Sequence, residues 1–224
     1  KRGGTGKAPP RHHITGQPSR RVTRRAPSSR TFRSRNREAA VAIRIKSHWN
    51  NDAQERSLSE IGGALAYIAW RIAVDKAINL HCERFVYTDD AQRLGVIQEY
   101  LVFLIQIADR KAHATLDDAE RRALVTAFAA KVIEHVQDNA QDLLGPGDYG
   151  RPFVERLNAR SAEYAEFQLD DEGPSYAFLR HLGFEVQSLM GEGQDNRWVI
   201  DQVMDKDGWD AYKQFARAFD NLFE

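Results

Sequence analysis

The chain has 224 residues, with 32 Lys and Arg balanced by 32 Asp and Glu, a formal net charge of zero and an apolar share of 42%. It is long and apolar enough for one sizeable core, and the composition excludes collagen-like, wholly disordered and disulfide-scaffold chains. A single cysteine, Cys82, rules out an internal disulfide, fits a reducing compartment and reads as a buried, inert thiol.

The charge balance is a cancellation. Residues 1–46 hold 14 Lys and Arg against one acid, Glu38, for a local charge of +13, and residues 47–224 carry −13. The first segment also contains Pro9, Pro10, Pro18 and Pro27, and Phe32 is its one aromatic residue. So little apolar surface does not offset the entropy of ordering, which predicts a disordered basic arm over 1–46 and an acidic domain over 47–224.

Three uses of the arm are open. It is a solvated tail; or the Arg- and Ser-rich stretch from Arg20 to Arg37 is a transit peptide, placing the protein in mitochondria instead of the cytoplasm. In the third, Arg20, Arg21, Arg24, Arg25, Arg30, Arg33, Arg35 and Arg37 neutralise the phosphates of a nucleic acid, with no stacking aromatics to give sequence preference. Arm and body also attract each other, within the reach that salt allows.

From Ser57 onward the pattern is helical. Ser57 and Glu60 form a capping-box signature, and Leu65, Ile68 and Ile72 follow three-and-four spacing in a first helix from Ile61 to about Phe85. Thr88, Asp89 and Asp90 open a second, Ala91 to about Ala114, which carries Leu94, Ile97, Leu101, Leu104 and Ile105 and is expected to be the most buried. Asp117 and Glu120 repeat the capping signature before a third helix that Gly145-Pro146-Gly147 stops after Leu144. A fourth starts near Pro152, and the acidic turn from Asp170 to Gly173 separates it from a fifth running from Pro174 to Met190. Two short helices follow, Asn196 to Met204 and Gly208 to Phe223. No stretch alternates with period two, so the expectation is an all-α, single-domain antiparallel bundle of five main helices plus short C-terminal ones. The most apolar windows, Ile61 to Val74 and Tyr100 to Ala108, are too short to span a membrane, and no solenoid repeat is present.

Helical bundles often house metals, yet the paired Glu-x-x-His of di-iron sites is missing. Looser sets are His81 with Glu83, Asp109 with His113, Glu134 and His135 with Asp138, and His181 with Glu185. Ordinary ion pairs on a solvated face look the same. A site between helices for a metal or small anion would draw on Arg71, His81, Glu99 and His135, with His181 a further candidate. Arg71 and Asp75, one turn apart in an apolar run, form a partly buried ion pair or present Arg71 to an anionic ligand. Gly62-Gly63-Ala64 offers a small surface for close helix packing. No nucleophile elbow, phosphate loop, Cys-x-x-Cys or zinc-protease motif occurs, and no cofactor is specified.

The C-terminal segment is dense in aromatics. Trp198, Trp209, Tyr212, Phe215 and Phe219 either complete the core or form a surface for a protein partner or a second copy. Asp201, Asp205, Asp207, Asp210 and Asp220, which lie among them, favour a basic partner. The leading functional expectation is a non-catalytic interaction, adaptor or assembly protein, with the ligand-binding bundle and the polyanion-binding arm as alternatives. If the arm neutralises six or more phosphates, affinity for nonspecific duplex DNA falls roughly a thousandfold between about 50 and 200 mM salt. Filter binding with the full chain and with a chain lacking residues 1–46 measures this, and salt-insensitive binding retained by the shorter chain contradicts it.

Overall fold

A computed structural model describes residues 57–191 and 193–223, so the expected basic arm and its eight arginines lie outside the described residues. The described part is helical: α1 (Leu58–Cys82), α2 (Asp90–Thr115), α3 (Asp118–Leu144), α4 (Gly150–Tyr164), α5 (Tyr176–Met190), a short α6 (Val199–Gln202) and α7 (Gly208–Phe223). Both capping boxes are present. Ser57 accepts from the Glu60 amide and Asp117 from the Glu120 amide, while each glutamate reaches back to the cap amide. Gly145 and Gly191, at φ +92° and +78°, end α3 and α5 in a conformation that costs glycine little.

Helix α2 is the centre of the bundle and packs against α1, α3, α4, α5 and α7. Its continuous run from Tyr100 to Ala108 is buried, as expected for a helix enclosed on several sides. Phe103 meets Phe178 edge-on at 5.5 Å, and Phe128 of α3 stacks on Phe215 of α7 at 5.8 Å. Helices α1 and α3 come closest where Gly62 faces α3. A Cβ there would sit 2.9 Å from both the Ala127 Cβ and the Phe128 amide nitrogen, so the small-residue stripe serves packing within the chain.

The acidic turn departs from the expectation of a loop. Leu169–Asp170 (β1) pairs antiparallel with Gly173–Pro174 (β2), and the Asp170 carboxylate accepts from the Glu172 and Gly173 amides at 2.9 and 3.2 Å. Gly173 has φ +123°, and a Cβ there would be 2.8 Å from Trp209 and Tyr212. The hairpin is thereby pressed onto α7. The break expected between the last two helices is a π-helical turn, Val203–Asp207, that runs straight into α7.

The expected Arg71–Asp75 ion pair gives way to another. Arg71 is exposed, its guanidinium 6.0 Å from the Tyr67 ring centre. Asp75 instead pairs at 3.1 Å with Lys76, whose side chain is 1% exposed and also holds Asp210 of α7. Burial alone would lower the Lys76 ammonium, but hydrogen bonds and charge contact with Asp210 and Asp75 outweigh it and raise its pKa. The packing of α7 on α1 selects which face of α1 is buried, and that face carries Lys76.

Gly62→Ala is expected to destabilise the fold by about 1–3 kcal/mol through overpacking against α3. Gly63→Ala, whose Cβ would meet nothing within 4 Å, is expected to add up to about 1 kcal/mol. Urea unfolding of the two variants checks the pair.

Candidate functional site

The densest set of buried charges lies between α2, α4 and α5. On α4, Arg156, Arg160 and Glu163 recur at spacings of four and three and so share one face; His181 and Glu185 do the same on α5. Glu99 of α2 is 2% exposed and is met by Arg156 Nε at 3.5 Å and Arg160 Nε at 3.3 Å. Arg160 also holds Glu185, and its Nη1 lies 3.1 Å from Glu163 Oε2. One guanidinium thus ties together carboxylates from three helices.

His181 closes the cluster. Its Nε2 lies 3.1 Å from Glu163 Oε2 without the alignment of a hydrogen bond, and its ring stands edge-on to Tyr164 at 4.7 Å. Burial pushes the His181 imidazolium down, against the opposing pull of Glu185 and Glu163, so its pKa lies below the ordinary value. Burial raises the Glu99 carboxyl, and Arg160 and Arg156 only partly offset that. Burial acts against the Arg160 guanidinium too, but Glu99 and Glu185 outweigh it and raise its pKa. The cluster thus brings three carboxyl groups, two guanidiniums and one imidazole together.

A carboxylate oxygen from each of Glu163 and Glu185 and one nitrogen of His181 lie within 4.8 Å of one another, a mixed oxygen and nitrogen donor set of the kind that holds zinc. Arg160 bonds to both carboxylates, however, and supplies the countercharge. As it stands, the arrangement is an ion-pair network that fixes how α4 and α5 seat on α2.

Of Arg71, His81, Glu99 and His135, the expected ligand set, only Glu99 belongs to this cluster. His81 is exposed at the end of α1, Arg71 is exposed farther up that helix, and half-buried His135 of α3 lies 6.1 Å from Trp70. These four side chains do not converge. Asp109 receives a two-pronged contact from Arg121 at 2.8 and 2.6 Å, with His113 beside it, and Glu134 pairs with Lys131. Cys82, expected to be buried, is exposed in the last turn of α1. Arg156 and Arg160 went unremarked in the sequence, although their four-residue spacing on a helix was legible.

The expected aromatic surface divides. Phe215 and Phe219, 0% and 1% exposed, are core residues, because α7 is amphipathic and turns that stripe inward. Trp209 and Tyr212 are half-buried on the hairpin, whereas Trp198 is 59% exposed. Tyr176 and Phe184 of α5 are exposed as well. Of the five aspartates, Asp207 is buried and Asp210 and Asp220 pair with Lys76 and Lys111, which leaves Asp201 and Asp205 exposed near Trp198. Among the described residues, no helix is long and apolar enough to cross a membrane. The chain matches no protein-family model, no curated protein and no solved structure.

Because the His181 pKa is lowered in the fold, the unfolded chain takes up this proton first as pH falls below about 6.5, and stability declines there. Urea midpoints between pH 7 and 5 should show that decline, and His181→Asn should flatten it. Arg160→Met leaves Glu99 with Arg156 alone and takes the guanidinium from Glu185, and is expected to cost about 3 kcal/mol, read from the same unfolding curves at pH 7.

Proposed function

We propose that this is a non-catalytic helical interaction protein whose acidic, partly aromatic surface around Trp198 receives a basic segment of a partner protein. The observation that carries this reading is the exposure of Trp198, the residue before α6, at 59%, with exposed Asp201 and Asp205 three and seven residues on in the chain. The Arg197 guanidinium lies 4.7 Å from the centre of the Trp198 ring, so an exposed aromatic already carrying a cation, with two carboxylates close by in the chain, has the composition of an anchor for basic groups. Phe184 and Tyr176 of α5 add exposed apolar area to the helix against which α6 packs.

A photo-crosslinking residue at position 198 of the full chain, in cells of its source, is expected to give one discrete protein adduct. Asp201→Lys with Asp205→Lys should remove it, and the same residue placed at Glu134 should not give it. The same adducts from both positions, or no adduct at 198, would sink the proposal.

A second reading has one observation in its favour, the donor set of Glu163, His181 and Glu185. In it, Arg160 swings away and a divalent cation joins α4 to α5. Zinc added to the purified protein would then raise the melting temperature of the native chain and leave that of His181→Asn unchanged. No shift in either protein removes this reading.

A further inference from the structure

Cations lie on aromatic rings at several places in this protein. Where the ring is buried, other groups hold the cation too. Arg110, 5.0 Å from the Phe178 ring centre, is fixed by the Tyr164 and Phe167 carbonyls, and Lys111, 5.6 Å from that of Phe219, by Asp220. Arg197 is different. Its guanidinium lies 4.7 Å from the Trp198 ring centre, and among the described residues it has no ion pair and no side-chain hydrogen bond. Both side chains are exposed, so the ring face is held against competition from water alone. An exposed cation–π contact is worth only about one to two times the thermal energy, and the pair opens readily.

The carboxylates that follow are equally uncommitted. Asp201 and Asp205 are exposed, and among the described residues neither has an ion pair. Residues 195–206 hold three aspartates against Arg197 and Lys206, so the segment is net negative with both cations in place. We infer that Arg197 is a resident competitor, occupying the Trp198 face that an arginine of the partner takes when it binds. The inference rests on the reading of the Trp198 surface as a receiver of basic segments, and it narrows the basic group to a guanidinium. A guanidinium is planar and weakly hydrated, and it stacks flat on an indole with its N–H edge free for a carboxylate, which a lysine ammonium does less well. Exchange returns Arg197 to water and replaces one ring contact by an equal one. The ring therefore contributes little net affinity, and the incoming arginine holds the site only where its N–H groups also meet Asp201 or Asp205. Arg197 thereby turns a general attraction for cations into a preference for an arginine placed to reach those carboxylates.

Fluorescence anisotropy of a dye-labelled peptide of four arginines, titrated with the full chain, tests this. Arg197→Gln is expected to tighten binding about two- to fivefold, the worth of an exposed cation–π contact. Removing a positive charge favours a cationic peptide in any case, so the same substitution is also made in the Trp198→Leu chain. There the gain should be smaller by a factor of about two or more, which is the coupling of a double-mutant cycle. Equal gains in the two backgrounds, or weaker binding by Arg197→Gln, overturn the inference. A peptide of four lysines should gain less from Arg197→Gln than the arginine peptide does, and an equal gain removes the assignment to a guanidinium. Both positions are exposed, and helix content by circular dichroism verifies that the variants fold. A discrete crosslink at position 198 without coupling between 197 and 198 leaves the proposed function standing and removes the resident competitor, whereas coupling without the crosslink does the reverse.

Discussion

Glu99 lies on the helix that five others enclose, and an ionised carboxylate there is tolerated only if positive charge is brought to it. Helix α4 supplies that charge through Arg156 and Arg160, and Arg160 draws in Glu185 of α5 and Glu163 of its own helix. The seating of α4 and α5 on α2 therefore follows from neutralising one buried group. Apolar contacts such as Phe103 with Phe178 supply most of the driving force, but they tolerate sliding in a way that an ion pair does not. The surface carrying Tyr176, Phe184 and Trp198 is mounted on helices whose position this pairing fixes.

Lys76 has a parallel role on the other side of the bundle. Its stem is buried and its ammonium reaches Asp75 and Asp210 at the edge of the core, so an otherwise unfavourable cation joins α1 to α7. In both clusters the charge sits inside an apolar helix face, and in both the partner comes from a distant part of the chain.

That distance explains what the sequence could and could not reveal. Helix starts at Ser57 and Asp117 and stops at Gly145 and Gly191 were legible because capping bonds and left-handed glycines are local. The hairpin was not, since two residues per strand cannot display a period. Glu99 and His181 were legible as candidate ligands between helices, but their partners were not: Arg160 lies 61 residues from Glu99, and nothing local records that pairing. Arg71 and Lys76 look alike in the sequence of α1. Only the approach of α7 decides that Lys76 turns inward and Arg71 outward, just as it decides that Phe215 and Phe219 join the core while Trp198 does not.

The π-helical turn Val203–Asp207 gives this last division its geometry. A π turn behaves as one extra residue lodged in an α-helix, and one residue corresponds to about 100° of rotation. Trp198, before the turn, and the Phe215–Phe219 stripe, after it, are therefore set at a different phase from the one an unbroken α-helix would impose. The segment is consequently asymmetric toward changes in length. Loss of one residue between 203 and 207 would let the helix relax to regular α geometry with Trp198 still at its present angle to the buried stripe, whereas insertion of one residue as regular α-helix would swing it by about 100°. The turn acts as a spacer measured in angle, and through it the packing of the C-terminal helix sets which side chain faces water.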